Sequence, residues 1–88
     1  MLTHDEIRRR ICVALSGGDV VSGLQLVART RVPVQYLIDP LKALVRERLI
    51  LSVGLEVYEP KTMAEVFFRA SPTLIQRLQN GYYDVRSI

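Results

Sequence analysis

A chain of 88 residues, 49% hydrophobic and 24% charged, is predicted to form one globular domain over 1–88 and is not a disordered polymer. Twelve Lys and Arg against nine Asp and Glu leave a net charge of +3, which permits a polyanionic partner without requiring one. No stretch approaches the ~18 apolar residues of a membrane span, and the basic N-terminal residues precede no apolar run, so no membrane association and a cytoplasmic address are expected. Cys12, the single cysteine, cannot close an internal disulfide and is expected as a buried small hydrophobe.

Thr3 followed three residues later by Glu6 is a capping-box pattern, and Ile7, Ile11, Ala14 and Leu15 recur at helical spacing. A helix over about residues 4–15 follows, ended by Gly17 and Gly18. Arg8, Arg9 and Arg10 are consecutive and diverge around that helix, so at most one is expected as a contact and the others as solvated charge. His4 falls in its exposed first turn, and one His with one Cys makes no metal set. After an apolar link at Val20 and Val21, Ser22 and Gln25 repeat the capping pattern and predict a short helix to about Arg29, with 30–32 as a turn.

The stretch RVPVQYLIDPLKALVRERLI, residues 31–50, places Val34, Leu37, Ile38, Leu41, Leu44 and Val45 on one arc at 100° per residue. Gln35, Asp39, Lys42 and Arg46 form the opposite stripe, flanked by Tyr36 and Ala43. Pro40 interrupts the pattern, since inside a helix proline removes a hydrogen bond and costs about 3 kcal/mol. Two arrangements fit: one kinked helix, supported by the continuous arc, or a turn at 33–38 followed by a new helix capped by Asp39.

From Leu49 the period changes to two. Leu51, Val53, Leu55 and Val57 alternate as one strand, and Ala64, Val66, Phe68 and Ala70 as its partner, with Pro60 in a turn at 59–62. A helix over 62–70 is the second reading of that run. Ser71, Pro72 and Gly81 then stand at N-cap, N1 and C′ of a terminal helix, with 82–88 as a tail. Leu74, Ile75, Leu78 and Tyr82 supply apolar surface that packs either on the first helix or across the two-fold axis of a homodimer.

Helix, helix, turn, helix, hairpin and helix in that order resemble a winged helix-turn-helix domain, an α+β fold. The resemblance is carried by Ser22 to Thr30 as the first helix of the motif, Val32 at the buried turn position, Leu37, Leu41 and Leu44 as core, RERLI at 46–50 and EVFFRASP at 65–72. It covers nearly the whole chain and is specific for architecture rather than for a named family. It implies binding of double-stranded DNA, with the third helix in the major groove and the wing on the backbone or minor groove.

Under that resemblance Gln35 and Tyr36 meet base edges, and Lys42, Arg46, Arg29 and Arg31 meet phosphates. Lys61 and Thr62 supply the wing contact. Asp39 accepts from a cytosine amino group, holds Lys42 or Arg46 in place, or is only a solvated charge beside those basic residues. No catalytic constellation, cofactor motif or metal set is visible, so an enzyme is not expected. The expected role is a transcriptional regulator of bacterial, phage or plasmid type; a protein-interaction module without groove contact is the alternative.

Overall fold

The structure is a computed structural model and describes residues 2–53 and 62–80. These form α1 (His4–Ala14), β1 (Val21–Ser22), α2 (Gly23–Thr30), α3 (Val34–Arg46), β2 (Ile50–Val53), a 3₁₀ turn (Met63–Glu65), β3 (Phe67–Ala70) and α4 (Pro72–Gln79). Four α-helices and a three-stranded antiparallel sheet make a small α+β domain.

Three helices begin where their capping residues demand. Thr3 Oγ1 accepts from the Glu6 N–H at 3.1 Å, and Ser71 caps α4 by accepting from Leu74, with Pro72 at the first position. Ser22 and Gln25 close a full capping box on α2. Each such cap is worth about 1 kcal/mol. The Glu6 half of the expected box at α1 is used differently, because its carboxylate pairs with Arg9 at 2.9 Å. The first helix ends at Ala14, with Leu15 as its cap residue, and Gly18 follows with φ 79°.

Pro40 neither ends nor restarts the third helix: α3 runs unbroken from Val34 to Arg46. Its position explains why it is tolerated. Leu37, Pro40, Leu41 and Leu44 are all buried, and Pro40 and Leu41 each stand three or four residues from Leu37 and from Leu44, so the ring lies in the apolar seam. Burying it offsets part of the lost hydrogen bond, on the order of 1–2 kcal/mol by apolar area. Val34 and Val45 are half-buried against the same core.

Strand order is β1-β3-β2. Ile50 pairs with Ala70 and Leu51 with Arg69, and Phe68 lies between Val21 and Ser52. Phe68, Val21, Ile50 and Ala70 are buried beneath the helices, while Leu51, Val53, Phe67 and Arg69 are exposed on the other face. β1 is a correction to the sequence reading, in which Val20 and Val21 were only a link. A second correction concerns the start of the last strand. Met63–Glu65 is a 3₁₀ turn, and only Phe67–Ala70 pairs as strand. That turn approaches α2 so closely that a Cβ on Gly23 would lie 1.9 Å from the Met63 carbonyl oxygen, while the Gly23 N–H donates to Val66 at 2.8 Å. The expected strand at 51–57 is seen through Val53; its remainder and residues 59–61 of the turn, Pro60 among them, lie outside the described residues, as do Gly81 and the 82–88 tail.

The core joins Ile7, Ile11, Cys12 and Leu15 of α1, Leu26 of α2, the α3 leucines, Phe68 and Leu74. Burial pushes the Cys12 thiol up to about 11, so at neutral pH it is the inert buried thiol the sequence suggests. No helix among the described residues is long and apolar enough to cross a membrane.

Candidate functional site

α2, the turn after it and α3 present the residues the sequence singles out. The turn is sealed from within: Thr30 is buried, its Oγ1 donates to the Leu26 carbonyl at 2.6 Å and accepts from the Val32 N–H at 3.3 Å. Val32 is buried below it, and Arg31 caps α2 in the left-handed region with φ 58°. This geometry fixes how α3 leaves α2.

With Leu37, Leu41 and Leu44 fully buried, the other side of α3 faces outward. Gln35, Tyr36, Asp39, Lys42 and Arg46 are all exposed, Tyr36 at 59%. Gln35, Asp39, Lys42 and Arg46 recur at three- and four-residue steps along about three turns, with Tyr36 beside Gln35, forming one continuous stripe. The Lys42 and Arg46 side chains have no ion-pair partner among the described residues. Asp39 is likewise unpaired there, so it does not hold either cation in place.

The basic residues of the first two helices are arranged differently. Arg8 reaches Glu47 just past the end of α3 with two bonds, at 2.7 and 3.2 Å. The hydrogen bond from Arg8 holds the Glu47 carboxyl below the usual carboxylate range, against an opposing effect of burial and with lesser help from the charges of Arg8 and Arg77. Arg9 and Arg10 share Glu6, at 2.9 and 3.6 Å, and Arg9 is the main reason the Glu6 carboxyl is also lowered. Arg10 donates to the Thr30 carbonyl at the end of α2, and Arg29 to the Ala14 carbonyl at the end of α1, at 3.0 and 3.1 Å. The two helices thus cap each other's C-termini with guanidinium groups, a favourable placement of cations on helix dipoles. Arg8, Arg9 and Arg10 are therefore not the solvated charges expected from their spacing.

Of the remaining sequence candidates, Arg29 and Arg31 are exposed, and Arg29 carries the helix contact just described. Thr62 is half-buried at the start of the 3₁₀ turn and its carbonyl accepts from Glu65, so it is no exposed wing tip. Lys61 and Tyr82 lie outside the described residues. Leu74 is fully buried in the chain's own core and has no surface to offer a second copy, which removes it from a dimer interface; Ile75 and Leu78 are half-buried against that core.

Among the described residues no group of His, Cys, Asp and Glu is placed to hold a metal ion. Pro40 as a core residue and the tertiary partners of the α1 arginines had no signal in the sequence. No family model, curated protein or solved structure matches this chain.

Proposed function

We propose that the chain is a winged helix-turn-helix protein that binds double-stranded DNA through the outward side of α3 and acts as a transcriptional regulator. The observation that carries this reading is the stripe of Gln35, Tyr36, Asp39, Lys42 and Arg46, exposed while the leucines behind it are locked in the core. An α-helix fits the major groove, and a Gln side chain pairs bidentately with adenine while a tyrosine ring packs on a thymine methyl. Lys42 and Arg46, unpaired within the described residues, meet phosphates on either side, joined by Lys61. The α2–turn–α3 unit followed by paired β2 and β3 supports the winged-helix assignment.

A salt series of binding to an arbitrary duplex tests it. Each phosphate contact contributes a slope of about −0.9 in log K against log salt, so three or more contacts give a steep decline. A flat response would point to the second reading, a protein-interaction module. That reading draws on Asp39, which brings a carboxylate into the stripe, and on the exposed apolar residues Leu51, Val53 and Phe67 of the sheet.

A further inference from the structure

α1 and the end of α2 line an open cleft of about 580 Å³. Arg9, Arg10, Arg29 and Arg31 line it, and Glu6 is the only carboxylate among the described residues that line it. We propose that this cleft binds a small ligand bearing two linked phosphate groups, independently of any duplex on α3.

Two features of the cleft bear on that chemistry. The C-terminal ends of α1 and α2 point carbonyl dipoles here, which would by themselves repel an anion. Both ends are covered: Arg29 donates to Ala14 and Arg10 to Thr30. Each of those contacts uses one N–H of a guanidinium that has five, so donors remain for a second acceptor. Charge balance is the other feature. Glu6 is shared by Arg9 and Arg10, which leaves Arg29 and Arg31 without a carboxylate among the described residues. Like charges held around one opening are relieved by a compact polyanion, and planar guanidinium groups match phosphate oxygens in bidentate fashion. Because the arginines stand on both walls of the cleft, a diphosphate spans them better than a single phosphate.

Arg31 also gives the site a route to α3. It is the residue in the left-handed conformation at the turn that leads into that helix, so an occupant touching Arg31 touches the joint of the motif.

The experiment is calorimetric titration of the full chain with inorganic pyrophosphate at constant ionic strength, with sulfate as the monomeric comparison. Arg48 provides a matched control, since it too is an exposed arginine in the left-handed region, with φ 62°, and is not among the residues lining the cleft. Arg31→Gly and Arg48→Gly remove the same charge and relieve the same backbone strain. The proposal expects saturable one-to-one binding of pyrophosphate, about tenfold weaker in Arg31→Gly and changed less than about twofold in Arg48→Gly. Equal losses in both variants, equal binding of sulfate, or no saturable binding would overturn it. Displacement of pyrophosphate by an added duplex would reassign the cleft to the nucleic-acid backbone and overturn the small-ligand proposal. Loss of duplex binding in Lys42→Ala/Arg46→Ala, with pyrophosphate binding intact, keeps the two readings separable.

Discussion

The two sides of α3 contrast sharply. One side, Leu37, Pro40, Leu41 and Leu44, is buried and holds the helix to the domain. The other, Gln35 to Arg46, is exposed and carries cations that nothing among the described residues neutralises. On α1 the contrast disappears, because Arg8, Arg9 and Arg10 are each engaged by Glu47, Glu6 or the end of α2. The lesson is that basic residues are not equivalent by count: net charge of +3 is divided between arginines that bind the fold together and a few that remain available.

That division can be attacked from each side, beginning with the buried one. Leu41→Ala removes a fully buried side chain and should lower unfolding stability by about 2–5 kcal/mol in denaturant titration. A loss below about 1 kcal/mol would mean the seam is not the anchor described. On the outward side, Gln35→Ala should leave stability within about 0.5 kcal/mol of the parent, while changing discrimination among duplex sequences by about 1–3 kcal/mol. Selection of binding sites from a random pool with both proteins checks this. Identical preferences would remove Gln35 from base reading.

The engaged cations give a smaller, pH-dependent effect. Arg8 lowers the Glu47 carboxyl from its ordinary 4.5, so the pair stabilises the fold fully above about pH 4.5 and loses that contribution as pH falls through the lowered value. Glu6 behaves in the same direction. Because Glu47 is nearly half exposed, the pair is screened and worth under about 1 kcal/mol. Melting curves between about pH 6 and pH 3 should therefore fall less steeply in Glu47→Gln than in the parent; parallel curves would show that the pair contributes nothing.

Much of this architecture was legible in the sequence because its signals are local. Thr3, Ser22 and Ser71 cap helices that begin within a residue of them, and the apolar arc of α3 survives the proline. β1 was not legible, since two residues carry no periodicity and its partner is Phe67–Phe68 in the last strand. Ala64 and Glu65 misled for the opposite reason: they extend the alternation of Val66, Phe68 and Ala70 backwards, yet they lie in a 3₁₀ turn drawn against Gly23 by tertiary contact. The outward stripe followed from helical geometry alone. The pairing of Arg8 with a residue 39 positions away, and of Arg29 with one 15 away, depends on how helices pack and has no signature at short range.

The account rests on an unobstructed outer flank of α3 meeting a polyanion, and one comparison reaches it directly. The salt dependence of duplex binding should be measured for the parent and for Lys42→Ala/Arg46→Ala. Loss of two phosphate contacts should reduce the magnitude of the slope by about 2, with affinity falling for every duplex alike and melting temperature unchanged. An unaltered slope, with affinity retained, would contradict the central claim.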